Sequence, residues 1–299
     1  MSEPIKAELL YSSWDRVAHY LDGEIRTVHE GYGPYYGVTW DDKHFYIAAR
    51  CQGQSGGEAI FVLDKDFMEL YQYRVLTDTE HGVKQLHQIL YWDGWVYITD
   101  TKHDRVLAWD RDRTHKAEIV YAGGPEVADY SHINSLWTDG IDFWVTEAKK
   151  KRLHCLGVER VCGAWRAESR SVIGVGSWCH NGFKHGDMVH AIRSGPGAHE
   201  LFSWNLKDGT TTLQALDLVP NPYMVGIVRT SDRWFFGAAA ILGHTGRVEG
   251  EALIGVFDSS VNKLGTIDTE MRGQVHDIRV MNEIDYAHHG MLAPGRGDG

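Results

Sequence analysis

One sequence pattern recurs along the chain and restricts what it can fold into. Residues 86–110 read LHQILYWDGWVYITDTKHDRVLAWD, so apolar runs rich in aromatic and β-branched residues flank an Asp93-Gly94 pair. Asp-Gly between two such runs is a strong hairpin signal, because both residues tolerate the positive φ angles of a tight turn. The stretch predicts a three-stranded meander, to which residues 117–121 add a fourth strand.

Similar stretches return at regular distances. The first strand of each begins at a position that we call the anchor, and successive anchors are 44 to 52 residues apart: Tyr36, His87, Ile133, His180, Met224 and His276. Repeats of roughly 40–50 residues with four short strands are typical of propeller blades. The sequence therefore predicts an all-β protein, a six-bladed β-propeller that forms a single domain over residues 1–290, with a disordered tail at residues 291–299. A β-sandwich or an open array is the alternative.

The sixth repeat is truncated. After the predicted strands at residues 275–280 and 284–287, only a tail rich in glycine and proline remains. Residues 16–20 and 25–28 resemble the missing outer strands, so we expect N-terminal strands to close the last blade. Residues 9–13 form another apolar run that has no assigned place. Closure of this kind removes the sheet edges through which proteins aggregate.

Composition and charge exclude several classes of protein. The 299 residues are 43% hydrophobic and carry a net charge of −11, whereas nucleic-acid binding needs a basic surface. The N-terminal segment lacks the basic and apolar parts of a signal peptide, and no run reaches the roughly 20 apolar residues of a membrane helix. The four cysteines form no CxxC pair, which fits a reducing compartment. We expect a cytoplasmic protein with no nucleic-acid or membrane partner, and the oligomeric state stays open.

Two of the first strands resemble those of a known superfamily. HNGF at residues 180–183 and HDIRV at residues 276–280 are similar to motifs of the six-bladed calcium-dependent lactonases and phosphotriesterases. That superfamily includes gluconolactonases, paraoxonases and strictosidine-synthase-like proteins. The resemblance implies that first strands begin beside the central axis, on the face where substrates bind. It also implies an axial calcium ion held by Asn134, Asn181 and Asp277, although Gly37 stands where the superfamily has a glutamate.

On this geometry the anchors form a first ring, in which His87, His180 and His276 come from alternate blades. Imidazole ligands favour Zn, Fe or Mn, whereas side-chain oxygens favour Ca. The oxygens belong to a second ring, one residue further along each strand: Gly37, Gln88, Asn134, Asn181, Val225 and Asp277. Adjacent strand residues point to opposite faces, so we expect one ring to face the axis and the other to pack between blades. The expected cofactor is one divalent metal ion, and the alternative is a wet polar channel whose histidines bond to backbone and water.

These residues favour a metal-dependent enzyme that acts on a small polar or anionic molecule at the top of the central channel. Lactone or ester hydrolysis and β-elimination both fit, because a metal polarises a carbonyl or phosphoryl oxygen or activates water. His132 and Asp277 are the expected catalytic residues. The substrate, expected to carry a carboxylate, would contact Gln88, Asn134, Asn181, Arg50, Arg193 and Tyr36. The alternatives are a non-catalytic propeller that binds a ligand or partner, and a structural component of a larger assembly.

Overall fold

The computed structural model describes residues 4–51, 57–77, 82–111, 116–124, 129–194, 199–219, 222–240 and 250–288, so the predicted tail lies outside it. Short strands dominate these residues, as their β-branched and aromatic content predicts. In chain order the strands are β1 (Glu8–Ser12), β2 (Arg16–Leu21), β3 (Glu24–Glu30), β4 (Tyr35–Trp40), β5 (Phe45–Cys51), β6 (Gly57–Leu63), β7 (Glu69–Arg74), β8 (Leu76–Thr77), β9 (Leu86–Trp92), β10 (Trp95–Asp100), β11 (Arg105–Trp109), β12 (Lys116–Ala122), β13 (Ile133–Thr138), β14 (Asp142–Glu147), β15 (Arg152–Val161), β16 (Ala164–Gly174), β17 (Cys179–His185), β18 (Met188–Arg193), β19 (Glu200–Asn205), β20 (Thr211–Ala215), β21 (Pro222–Arg229), β22 (Arg233–Ala240), β23 (Glu251–Asp258), β24 (Lys263–Arg272) and β25 (Asp277–Val280). Two 3₁₀ turns, Thr101–His103 and Tyr286–His288, are the helical segments of the described residues. Neither is long or apolar enough to cross a membrane.

The strands form six sheets, and the sheets are the blades of a ring. Blades one to six are β4–β7, β9–β12, β13–β16, β17–β20, β21–β24 and, for the last, β25 with β1–β3. The innermost strands contact one another in the order β4, β9, β13, β17, β21 and β25, and β25 contacts β4. The short strand β8 pairs in parallel with β12 and so joins the first blade to the second. The predicted six-bladed all-β propeller is confirmed.

The Asp93-Gly94 pair forms the predicted tight turn between β9 and β10. Both residues have positive φ, 49° and 82°, and the turn sets the register in which Ile89 lies opposite Ile98. Both isoleucines are fully buried and pack against blade one, where Tyr46 is among their neighbours. Alternating apolar residues thus fill the space between adjacent blades, which gives the axis a rigid wall.

The N-terminal strands close the last blade, but not in the way the sequence predicts. The sheet order is β25, β1, β2, β3, so three N-terminal strands complete it instead of two. The unassigned residues 9–13 correspond to β1, whose side chains are all buried. Residues 284–287 were expected to form the second strand and do not. The chain instead turns at Asp285, which accepts hydrogen bonds from the backbone N–H groups of Val280 and Ala287 at 3.3 and 2.8 Å.

The segment after β25 joins blades that are far apart in sequence. The Trp137 indole donates to the carbonyl of Tyr286 at 3.1 Å. His288 lies 2.7 Å from the Thr39 hydroxyl and contacts the ring of Trp40. These bonds hold the segment against blades one and three, and they explain why it is not available to pair as a strand.

Candidate active site

A cavity of about 320 Å³ opens on the central axis, and all six blades contribute to its wall. Six of the predicted site residues line it: Tyr36, Arg50, His87, His132, His180 and His276. They come from positions up to 240 residues apart, and the ring of first strands brings them together. The other predicted residues, Gln88, Asn134, Asn181, Asp277 and Arg193, lie outside the lining.

Two anchors do not face the cavity. Ile133 and Met224 are fully buried in the core, and the wall is formed by their neighbours His132, Tyr223 and Val225. In blades one to five, the pairing of the first strand with the second shifts register near the beginning of the first strand. A β-bulge sets two residues opposite one and interrupts the alternation of side chains. Blades three and five therefore depart from the expectation that one ring faces the axis and the other packs between blades, whereas the anchors Tyr36, His87, His180 and His276 do line the cavity.

Apart from Val225, the second ring lies outside the cavity lining, and two of its side chains fasten neighbouring blades to each other. Gln88 accepts a hydrogen bond from the backbone N–H of Leu136 at 2.9 Å, and Asp277 accepts one from Val38 at 3.0 Å. Gln88 also bonds to the carboxyl group of Asp277, so blades two and six are linked past blade one. Each of these bonds joins two first strands, and we assign both side chains to the scaffold beside the cavity.

The remaining members of this ring are also buried. Asn134 donates from Nδ2 to the carbonyl of Cys179 at 3.0 Å. Asn181 has a positive φ of 48°, and its Nδ2 has no hydrogen-bond partner among the described residues. The roles predicted for Asn134, Asn181, Gln88 and Asp277 in binding substrate or metal, and for Asp277 in catalysis, stay predictions.

Blade one has no room for the glutamate that the resemblance implies. A Cβ atom at Gly37 would lie 2.7 Å from the backbone nitrogen of Ile89 and 3.1 Å from the Cα of Gln88. Both contacts are with the backbone of the neighbouring blade, which cannot move aside as a flexible side chain can. Glycine at this position lets the first strands of blades one and two approach closely.

Arg50 is one of two cationic side chains of the cavity wall, and the other is Lys149. Its Nε donates to the carbonyl of Leu86 at 2.9 Å and its Nη1 to the Tyr36 hydroxyl at 3.1 Å, while Nη2 lies 2.7 Å from Nδ1 of His87. The guanidinium also packs on the Tyr36 ring, 3.8 Å from its centroid. Among the described residues, Arg50 makes no ion pair with a carboxylate. A guanidinium held by neutral groups is suited to a carboxylate or phosphate.

Glu58 and Asp129 are the two carboxyl groups whose charges act on Arg50. Burial raises the pKa of Glu58 to about 7, against the opposing effect of Arg50 and of hydrogen bonds from the backbone. One of those bonds comes from the N–H of Gln85 at 2.8 Å. At neutral pH the Glu58 carboxyl is thus only partly ionised, so it offsets only part of the positive charge of Arg50.

Asp129 and His132 form a hydrogen-bonded pair, and His132, like Arg50, lies beside the His87 ring. His132 Nδ1 lies 2.7 Å from Asp129 Oδ1, and Lys149 donates to the same carboxylate and, at 2.8 Å, to the carbonyl of Asp129. Burial lowers the pKa of His132, although the bond to Asp129 opposes this effect. The imidazole is therefore neutral at pH 7, with its proton on Nδ1 and the basic lone pair on Nε2.

The other histidines of the cavity are neutral as well. Burial lowers the pKa of His276 to about 3, and its Nδ1 donates to the carbonyl of Tyr35 at 2.6 Å. Burial, with Arg50 and His132 nearby, places the pKa of His87 well below its usual value. Asn134 donates to Nδ1 of His180 at 2.8 Å, which leaves the His180 proton on Nε2. His180 can thus donate a hydrogen bond, whereas His132 can accept a proton.

The first-ring histidines do not form a metal site in this arrangement. Among the described residues, no three His, Cys, Asp or Glu side chains are grouped so that they could hold a metal ion. Arg50 lies against His87, and one nitrogen of His276 is used by a backbone carbonyl. The residues present do not fit the predicted ion, so no chemical step below depends on it. The divalent cofactor stays a prediction.

Sequence reasoning missed several residues of the cavity wall and misjudged the surroundings of one arginine. Asp129, Lys149, Trp14 and Trp178 line the cavity. The three-residue spacing of Asp129 and His132 is the one signal that could have linked them. Arg193 pairs with Glu200 at 2.6 Å, so its predicted contact with substrate stays untested.

No protein-family model and no curated protein sequence matches the chain. Solved structures share its fold. A chain of the nidogen–laminin complex has a TM-score of 0.66 at 11% identity, covering 91% of this chain and 97% of that chain. The periplasmic gluconolactonase of Pseudomonas aeruginosa has a TM-score of 0.53 at 11% identity, covering 92% of this chain and 98% of that chain. A catalytically inactive virginiamycin B lyase of Staphylococcus aureus with quinupristin has a TM-score of 0.53 at 13% identity, covering 86% of this chain and 78% of that chain. Identities this low show the fold alone, and the fold-level resemblance to propeller lactonases is confirmed.

Proposed function

We propose that this protein is an enzyme that binds a small carboxylate-bearing molecule in the axial cavity and acts on it by proton transfer through His132. The observation that carries the proposal is the pairing of two unlike groups in one cavity. Arg50 is a cation without a carboxylate partner among the described residues, and His132 is a neutral imidazole oriented by Asp129. An anion anchor beside a general base is the arrangement that acid–base catalysis needs.

The two groups are close enough to act on one small molecule. Arg50 contacts the His87 ring at 2.7 Å, and the centroids of the His87 and His132 rings are 5.4 Å apart. A carboxylate bound to the guanidinium therefore places its neighbouring carbon near the imidazole of His132. The gluconolactonase and the lyase with the same fold show that this architecture accommodates enzymes.

Two reactions share this first proton transfer. In β-elimination, His132 Nε2 removes the proton next to the carboxylate, a C=C bond forms, and the C–O bond breaks so that the leaving oxygen departs with its electron pair and takes a proton from water. In lactone or ester hydrolysis, His132 removes a proton from water as the water oxygen bonds to the carbonyl carbon, and the protonated imidazole then returns that proton to the leaving oxygen as the acyl C–O bond breaks. Arg50 and the Nε2–H of His180 then stabilise the negative oxygen in either case. The product separates the two, since only elimination creates a conjugated double bond.

Replacing Arg50 is the test of substrate binding. We expect Arg50→Gln to raise KM by roughly 10- to 100-fold, which corresponds to about 1.5–3 kcal/mol for hydrogen bonds to a charged group. The measurement is a screen of lactones, esters, organophosphates and uronate oligomers, followed by steady-state kinetics on the substrate found. Neutral analogues of that substrate should show a much smaller change.

Arg229→Gln is the matched control. Arg229 also contacts a histidine, His190 at 3.1 Å, and lies over an aromatic ring, Trp234 at 4.8 Å, but it is outside the cavity. We expect its KM to equal that of the unchanged protein. Equal effects of the two substitutions would contradict the anchoring role of Arg50. Binding without turnover of any compound would favour a ligand-binding propeller.

Elemental analysis tests the predicted divalent ion independently of the kinetics. The purified protein is assayed for Zn, Fe, Mn and Ca, and turnover is compared with and without a chelator. One ion per chain that is lost in His180→Ala would establish the first ring as a metal site. Protein that contains no ion, takes none up and turns over normally with chelator would end that prediction.

A further inference from the structure

We infer that Asp104 is a positioning residue that holds residues 129–132 so that Asp129 and His132 face the cavity. Asp104 itself does not line the cavity. It lies at the end of the 3₁₀ turn Thr101–His103 in blade two, whereas the pair belongs to the loop that leads into blade three. The inference rests on the proposed function, because it assigns a purpose to the geometry of the proposed catalytic pair.

Three consecutive peptide N–H groups converge on the Asp104 carboxylate. Tyr130 and Ser131 donate to Oδ2 at 2.5 and 2.8 Å, and His132 donates to Oδ1 at 2.7 Å. The side chain is 1% exposed, so these bonds are shielded from water. Hydrogen bonds from peptide groups to a buried carboxylate are among the stronger ones in proteins. One side chain of the neighbouring blade thus holds three consecutive peptide groups of the loop.

The loop needs such a tie because its backbone is strained. Asp129 and His132 both have positive φ, 61° and 56°, which side chains with a Cβ rarely adopt. This backbone turns both side chains toward each other and toward the cavity, where Nδ1 and Oδ1 meet at 2.7 Å. Without the carboxylate the loop is expected to relax, and the imidazole would leave its place beside His87.

Asp104 is in turn held firmly by its own backbone. Its N–H donates to the carbonyl of Thr101 at 3.3 Å, and its carbonyl accepts from the N–H of Gly123 at 2.7 Å. A third backbone bond, from the N–H of Asp129 to the carbonyl of Lys102 at 2.6 Å, ties the start of the loop to the same turn. The 3₁₀ turn and Asp104 after it thus hold the loop that carries Asp129 and His132.

The experiment compares Asp104→Asn with the unchanged protein in two measurements. An amide offers one acceptor oxygen and points an NH₂ group at a peptide N–H, so at least one loop bond is lost. We expect kcat to fall by about 10- to 100-fold, as a small misplacement of a catalytic group produces, with KM within about twofold because Arg50 is untouched. Amide hydrogen exchange at Tyr130, Ser131 and His132 should become faster in the same variant.

Two further variants make the result decisive. Asp258→Asn is the matched control, since Asp258 also accepts two peptide N–H groups, from Ser260 and Asn262, but at a hairpin outside the cavity. It should leave kcat unchanged. Asp104→Glu keeps the charge and displaces it, so it should retain the fold and show a smaller loss of kcat if Asp104→Asn unfolds.

The outcomes separate this inference from the proposed function. Unchanged kcat and unchanged amide exchange in Asp104→Asn, alongside an inactive His132→Asn, would overturn the positioning role and leave the function standing. Faster amide exchange in Asp104→Asn, with full activity in both Asp104→Asn and His132→Asn, would overturn the proposed function. Asp104 would then be a purely structural support of the loop. A fall in kcat and a rise in KM of equal size would also contradict positioning.

Discussion

Deleting residues 1–30 is expected to abolish the folded state. The deletion removes β1, β2 and β3, which are three of the four strands of blade six, and leaves β25 without its partner. Leu9, Leu10 and Tyr11 are fully buried, so the loss also opens the packing toward blades one and five. The cost exceeds the roughly 5–15 kcal/mol by which a domain is stable. Circular dichroism and size-exclusion chromatography with light scattering would show unfolded or aggregated protein.

Two substitutions in the same segment calibrate this result. Tyr11→Ala should lower the free energy of unfolding by about 3–5 kcal/mol, as other large-to-small changes in cores do. Arg26→Ala, on the exposed face of β3, should change it by no more than about 0.5 kcal/mol. A monomeric truncated protein with the melting temperature of the full chain would show that the N-terminal strands do not close the ring.

Replacing His132 is expected to have the largest effect on activity. His132→Asn keeps a hydrogen-bond donor toward Asp129 and removes the basic nitrogen, so kcat should fall by about 10²- to 10⁴-fold. KM should stay close to its original value, because Arg50 supplies the binding. The control is His103→Asn. His103 pairs with Asp100 at 2.9 Å and its side chain is 18% exposed, against 2.7 Å and 17% for His132. Equal losses in the two variants would mean that the effect is structural.

The pH profile gives a second test of His132. Burial lowers its pKa from the usual value of 6.5, so the imidazole is mainly neutral at pH 7. We therefore expect kcat to stay nearly level on going from pH 8 to 7 and to fall at lower pH, where the imidazole becomes protonated. Steady-state kinetics across this range checks the expectation. A decline that starts above pH 7 would point to a different base.

Much of the fold could be predicted because its signal is local. The Asp93-Gly94 turn and the alternating runs on either side specify a hairpin without help from the rest of the chain. The same signal repeated six times gives the blade count. The allocation of strands in the last blade was wrong because residues 284–287 look as apolar as a strand. Only the bonds of Asp285 to Val280 and Ala287 show that this segment turns instead.

The candidate site could be predicted in part. His87, His180 and His276 begin first strands of the repeat, and the resemblance to the propeller lactonases implies that first strands begin beside the axis; the structure puts all three in the cavity wall. The partners of these residues were not foreseen. Arg50 reaches His87 across 37 positions of sequence, and Asp104 reaches the loop before blade three across 26 to 28 positions. No periodicity links such residues, because each bond spans two different blades.

The sequence alone thus determined that the strands are short and alternate apolar with polar residues, and that there are six blades. It also placed the site near the beginning of the first strand of each blade. Hydrophobic alternation and turn residues act between near neighbours, and they leave a readable period. The tertiary structure decided which residue at the start of each first strand faces the cavity, since the register shift between Ile133 and Ser135 interrupts the local alternation and His132, not Ile133, lines the wall. It also decided which partners surround each buried charged group. Val38 and Asp277 meet across 239 positions, and contacts of that range arise only when the ring closes.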